Sequence, residues 1–359
     1  MGCMRRTLAA VALCAAAALA SGGCTSGSAP AASLSRPPAA ATTTPAPAPS
    51  SSPTATAPAS PAPRAALPAV NDPVSLPALM ARRYDGRDLR LGRVLSRQSA
   101  YTRYAVTYLS GRLRISGVMD VPTGKGPFRT VVLAHGHIDL SIYTSGRGLA
   151  REQDYLARRG FVVLHTDYRN HASSSKDPDA ERDLRLGYAV DVVNAVLALR
   201  ASGLAAVDPD RIGLLGRSMG GGVVLDTIVA QPGLVDSAVL YDSVSSTTWQ
   251  NFQRWTARSP DGDPVLAAHG TPQTDPRFWR EVSPATYFDR VQVPVLVHHG
   301  EVDRTCPPQW SRDTVAGLRR AGADVQLFTY PGQDHAFYGE SWTRSMQRTV
   351  AFFERTLHA

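Results

Sequence analysis

The pentapeptide Gly216-Arg217-Ser218-Met219-Gly220 constrains this chain more than any other feature. It lies between an apolar run, Ile212-Gly213-Leu214-Leu215, and the glycines Gly220-Gly221-Gly222 that open a helical pattern. A G-x-S-x-G sequence at a strand-to-helix turn is a nucleophile elbow. The serine takes a strained backbone there, and side chains at 216 and 220 would collide with the adjacent chain. The helix N-terminus behind Ser218 supplies N–H groups and a positive dipole end for an oxygen that gains negative charge. The pentapeptide alone is common; its setting makes Ser218 a candidate nucleophile rather than part of a packing turn.

The rest of the chain supplies the frame such a turn needs. Tyr104, Val106 and Tyr108 alternate, Gly111 breaks the run, and Leu113, Ile115 and Val118 resume it, which predicts two antiparallel strands joined by a turn. Residues 130–134 read as a short buried strand ending in His135-Gly136. A helix around 146–159, a strand at 161–165, a helix around 183–201 and a strand at 211–215 follow. Further strands read at 238–241, 293–297 and 325–329, and a last helix carries Trp342, Met346, Val350 and Phe353 on one stripe. Unbroken apolar strands belong to parallel sheets covered on both faces, so the fold class is α/β: a mostly parallel sheet with crossover helices. Between 243 and 283 the chain leaves the sheet, with Trp249, Phe252, Trp255, Phe278 and Trp279 in a polar, proline-rich stretch. This predicts a small cap over the nucleophile at about 244–283. Its aromatics either pack the cap onto the sheet or together line an apolar acyl pocket.

A serine hydroxyl is a weak nucleophile until a base takes its proton, and the base needs an acid to orient it. In strand-turn-helix hydrolases the order along the chain is serine, acid, histidine. Here 293–297 runs into His298-His299-Gly300-Glu301-Val302-Asp303, and the last strand runs into Gly332-Gln333-Asp334-His335. His335 is the only histidine between that strand and the C-terminal helix, and it is the expected base. Asp303 is the leading acid. Glu301 and Asp334 are rivals, the first expected to point aside at the strand end and the second adjoining His335 itself. The oxyanion donors are expected to be the backbone N–H groups of Met219 and His137. The His137 side chain either lines the site or sits on its rim, while His135, His298 and His299 read as strand-end residues. No spacing of His, Cys and acids suggests a zinc site, and Gly220-Gly221-Gly222 lacks the spacing of a dinucleotide loop, so neither metal nor cofactor is expected.

The N-terminus has a different character. Residues 1–70 contain no Asp or Glu, and 40 of the 46 residues at 25–70 are Ala, Pro, Ser or Thr, too little apolar surface to offset the entropy of ordering them. Arg5 and Arg6 precede the apolar run 8–20, which is short for a bilayer span and suited to a signal peptide. Ser21-Gly22-Gly23-Cys24 resembles the lipobox of bacterial lipoproteins, with Ser21 where an aliphatic residue is usual; an ordinary secretory peptide is the alternative. The reading is therefore a signal peptide at 1–24 with Cys24 as the lipidation site, a linker at 25–70 and a folded domain at 71–359. The protein would be exported, and held at a membrane surface if Cys24 is modified. Cys306 is then the domain's one thiol, so the core must hold by apolar burial without a disulfide. The domain sets 34 basic residues against all 30 acidic ones in no long basic run, which excludes a nucleic-acid surface as the leading reading.

Five stretches together resemble an α/β-hydrolase of the prolyl oligopeptidase type. They are 104–136, Asp167-Tyr168-Arg169-Asn170-His171-Ala172-Ser173, the elbow preceded by Val207-Asp208-Pro209-Asp210-Arg211-Ile212, the acid loop after His299-Gly300, and Gly332-Gln333-Asp334-His335. The resemblance covers roughly 100–359. It implies the α/β-hydrolase fold and a serine hydrolase with Ser218, Asp303 and His335 as its triad. Two departures stand out: Asn170 and Ala172 flank His171 where relatives usually have glycines, and no β-propeller precedes the domain. Without propeller groups to hold a peptide's amino terminus, short esters are the expected substrates. Short peptides, acyl transfer to an alcohol, and a non-catalytic binding scaffold are the alternatives.

Overall fold

The structure is a computed structural model that describes residues 66–358, so the signal peptide, Cys24 and most of the linker lie outside the described residues. After the short helix α1 (Leu76–Ala81) come three antiparallel strands, β1 (Arg87–Arg97), β2 (Tyr101–Ser110) and β3 (Leu113–Pro122). β2 and β3 are the two predicted antiparallel strands. β1 has no counterpart in the apolar pattern, because its charges at Arg87, Asp88, Arg90 and Arg93 mask the apolar positions on a strand covered by one neighbour only. The alternating part follows: β4 (Phe128–Ala134), α2 (Ala150–Ala157), β5 (Val162–Thr166), α3 (Leu186–Arg200), β6 (Val207–Arg217), α4 (Met219–Ala230) and β7 (Ser237–Tyr241). Helices α5 (Thr248–Asn251), α6 (Gly262–His269) and α7 (Pro276–Glu281) occupy the cap, and β8 (Val295–Gly300), α8 (Pro308–Arg320), β9 (Val325–Tyr330) and α9 (Gly339–Thr356) complete the chain.

The sheet order is β1-β2-β3-β5-β4-β6-β7-β8-β9, with every pair from β5 to β9 parallel. The apolar runs divide by residue parity, because successive side chains point to opposite faces. Val132 and Ala134 join the core under α3 and α4, whereas Val131 and Leu133 join the one under α2 and α9. The predicted stripe of α9 supplies Met346, Val350 and Phe353 to the second core.

The stretch 244–283 is helical, and its aromatics pack largely on one another. Phe252, Phe278 and Trp279 are buried, Trp249 stacks on Phe252 with centroids 5.4 Å apart, and its edge meets Trp279 at 4.6 Å. Helices of four to eight residues are not stable alone, and this aromatic cluster is the core that holds them. Trp255, the exposed one, meets Trp310 of α8 instead.

Candidate active site

Strand β6 ends at Arg217 and α4 begins at Met219, leaving Ser218 alone in the turn with φ 56° and ψ −124°. Such a backbone costs on the order of 1–3 kcal/mol and persists only where its surroundings over-determine it. Here they do: the Ser218 N–H donates to Tyr241 O at 2.9 Å, and its carbonyl accepts from Gly221 at 2.9 Å and Val244 at 3.2 Å. A Cβ on Gly220 would lie 1.9 Å from Ala134 O, and one on Gly216 would lie 2.1 Å from Gly220 O, so both flanking glycines are required. The turn also passes close to the end of β4, where a Cβ on Gly136 would come 3.7 Å from Ser218 Oγ.

Arg217 ties the nucleophile turn to the histidine loop, its Nη2 donating to the carbonyl of His335 at 2.8 Å. His335 Nδ1 lies 2.8 Å from Asp303 Oδ2. A carboxylate only accepts, so Nδ1 carries the proton and Nε2 of the neutral ring has the free lone pair. Asp303 is held from all sides: Oδ1 accepts from the N–H groups of Thr305 at 2.8 Å and Cys306 at 2.9 Å, and Oδ2 also faces His299 Nε2 at 3.4 Å. Burial by itself would raise the Asp303 pKa, but hydrogen bonds from His299, His335 and the Cys306 amide outweigh it and hold the carboxyl well below the usual range. The rival acids are engaged elsewhere. Glu301 accepts from Thr329 Oγ1, and Asp334 from Arg304 and from the N–H of His335.

His299 is more than the strand-end residue read from the sequence. Its Nε2 is 2.9 Å from the carbonyl of Cys306, so that nitrogen carries hydrogen and is aimed between this carbonyl and Asp303; Nδ1 then accepts from the Ser311 hydroxyl at 2.6 Å. The signal available in the sequence was its place four residues before Asp303, across a turn that folds back on itself. Beside it, Asp242 Oδ1 accepts from Gly300 N–H, and Oδ2 has no partner among the described residues. Burial, helped by the charge on Asp303, pushes the Asp242 carboxyl well above the usual range. Asp303, Cys306 and His335 lie within 4.8 Å of one another, as do Asp242, His299 and Asp303, but the Asp303 oxygens are already used by the hydrogen bonds just described.

Neither the amide of Met219 nor that of His137 has an acceptor among the described residues. His137 is exposed, and His135 beneath it is buried with its Nδ1 on the carbonyl of Gly136. The rim loop keeps the backbone of the expected glycines without having them: Asn170 has φ 69° and Ala172 φ 46°. Asn170 offsets its strain by exchanging two hydrogen bonds with the backbone of Asp177, and the buried Arg169 fixes the loop to Asp191 and Asp177. Through Arg217 the structure brings the Ser218 turn to the loop that carries the Asp303–His335 pair, an arrangement suited to general-base activation of a hydroxyl.

Residues 148–359 match the Prolyl oligopeptidase family. The uncharacterized peptidase YtmA of Bacillus subtilis is 26% identical over 235 residues, which are 65% of this chain and 86% of that protein. A bis(hydroxyethyl) terephthalate hydrolase of Streptomyces coelicolor is 29% identical over 181 residues, 46% of this chain and 52% of that protein. Among solved structures, acetyl xylan esterase 1 from Thermoanaerobacterium superposes with a TM-score of 0.54 at 18% identity, over 74% of this chain and 88% of that one. Family match, mostly parallel sheet and hydrolase neighbours agree: the chain belongs to the prolyl oligopeptidase family and is an α/β-hydrolase-type serine hydrolase.

Proposed function

We propose that the protein is an exported esterase that cleaves carboxylic esters through an acyl-enzyme on Ser218. The observation that carries this reading is the joined set of Ser218 in its strained turn and His335 held by the ionised Asp303. His335 Nε2 takes the Ser218 proton as Oγ attacks the ester carbonyl, and the amides of Met219 and His137 receive the oxyanion. Collapse expels the alcohol, protonated by His335, and leaves the acyl group on Oγ. Water, deprotonated by the same nitrogen, then attacks the acyl-enzyme and releases the acid.

Two observations favour esters over peptides. The acids near His137, Asp139 and Glu181, are already engaged by Ser141 and Arg185, which leaves less of their charge for a peptide's amino terminus. The Streptomyces coelicolor relative is named for an ester substrate. Amide cleavage is the second reading, favoured by the name of the Bacillus subtilis relative.

A fluorophosphonate probe should label Ser218, and Ser218→Ala should abolish labelling and turnover. For the folded domain, kcat/KM on p-nitrophenyl acetate or butyrate should exceed that on dipeptidyl p-nitroanilides by at least about a hundredfold. Activated esters are intrinsically easier, so comparable rates on the anilide would decide for a peptidase. Export rests on the signal-like N-terminus and Cys24. Metabolic labelling with a lipid precursor should mark the wild-type chain but not Cys24→Ser; an unlabelled wild-type chain in the medium would mean ordinary signal cleavage.

A further inference from the structure

A charged pair stands beside the side chain of Met219, the residue after the nucleophile, on elements the triad does not use. Arg185, the residue before α3, has a left-handed backbone with φ 61°. Its Nε lies 2.9 and 2.7 Å from the two carboxylate oxygens of Glu181, and Nη2 lies 2.7 Å from one of them, so one edge of the guanidinium is committed. The remaining nitrogen, Nη1, faces Met219 Sδ at 3.7 Å. Met219 carries one oxyanion amide and His137 the other. Met219 follows Ser218 directly, so the contact with its side chain places Nη1 beside the nucleophile turn.

A thioether is a weak acceptor for a guanidinium, one of the strongest donors in a protein. A substrate oxygen replacing the sulfur would gain a charge-assisted hydrogen bond without displacing any strong partner. Charge narrows the class further. Glu181 already neutralises Arg185, and the negative charge of Asp261 in the cap also reaches the guanidinium, so a second carboxylate is poorly matched there. An ether, hydroxyl or carbonyl oxygen fits.

Resting on the ester reading above, we infer that Arg185 Nη1 is a specificity donor for a neutral oxygen close to the scissile carbonyl. The preferred substrates are then esters with oxygenated chains rather than hydrocarbon esters of the same shape.

Two isosteric pairs test this: p-nitrophenyl methoxyacetate against butyrate for the acyl side, and 2-methoxyethyl acetate against butyl acetate for the alcohol side. Dividing the oxygen-to-methylene ratio of kcat/KM in Arg185→Met by that in the wild type cancels intrinsic reactivity. For one of the pairs this quotient should fall to about a tenth or lower, and the pair affected shows which side of the ester lies along Met219. Arg185→Lys, which keeps the charge but cannot hold Glu181 bidentately and reach Met219 together, should lower the same ratio severalfold; it carries the test if the methionine variant does not fold. Unchanged ratios for both pairs in a folded variant would overturn the inference while wild-type turnover leaves the ester reading standing. A wild-type enzyme inert on all four esters would defeat that reading, and the inference with it.

Discussion

Two groups of histidines lie at or near the carboxyl ends of the parallel strands, and they are treated differently. In the group on β8 and after β9, the rings are fixed by hydrogen bonds: His298 by Thr349 and Tyr330, His299 by Ser311 and Cys306, His335 by Asp303. In the group around β4 and β5 the rings stack on one another and on tyrosines, and where they hydrogen-bond it is to backbone carbonyls, His135 to Gly136 and Asp167 and His171 to Arg169. His135 stacks against Tyr143 at 4.7 Å and meets Tyr168, His165 and His171, and both ring nitrogens of His165 are buried without a partner among the described residues. The same residue type thus serves once bonded to side chains that include a carboxylate, and once as a stacked ring whose bonds go to backbone carbonyls. What separates them is a buried ionised carboxylate within reach, which only the first group has at bonding distance from a ring N–H.

The largest effect that could break this contrast comes from Asp303→Asn. The amide cannot hold the His335 tautomer, so kcat should fall by about 10³- to 10⁴-fold with the fold intact by circular dichroism. Near-normal kcat in the folded variant would make the first group as structural as the second.

A smaller effect is expected from His299→Phe. Loss of its hydrogen bond frees Asp303 to turn, and kcat should fall about 10- to 100-fold while KM changes little. His299→Gln, which keeps a donor, should recover part of the loss. A fall in the folded fraction with unchanged kcat per folded molecule would restrict His299 to packing.

The smallest effect, and of opposite sign, belongs to His165→Phe. Burial lowers the His165 pKa to about 3, so the folded state binds no proton at pH 5 while the unfolded chain, near pKa 6.5, does. Stability contributed by this depressed histidine is present above the unfolded pKa and is lost as pH falls through the window from about 6.5 to 3. The phenylalanine variant should match or exceed the wild type by about 1 kcal/mol at pH 7. Its advantage should grow by roughly 1.4 kcal/mol per pH unit between about pH 6 and 4, as read by urea denaturation. A constant difference across that range would show that the ring is hydrogen-bonded or solvated after all.

The parts of the site that could be read from the sequence were those set by local chain chemistry. Ser218, Asp303 and His335 each follow an apolar strand, and strands buried on both faces announce themselves as unbroken runs. Strand β1 could not be read this way, because an edge strand with one neighbour carries charges along its length. Of the two roles open to the cap aromatics, the packing one is visible: three helices of four to eight residues share them as a core.

By itself, then, the sequence determined the α/β alternation, the elbow with its two obligatory glycines, and the order of serine, acid and histidine along the chain. These follow from periodicity and from backbone sterics within a few residues. Only the tertiary structure decided that Asp303 and not Glu301 or Asp334 meets His335, that His299 and Asp242 lie behind it, and that Arg185 stands beside Met219. Those are contacts between groups 4 to 57 positions apart in the chain, made at distances of about 2.8 to 4.0 Å. A shift of one residue in any turn would rearrange them, and nothing in the local pattern records such a shift.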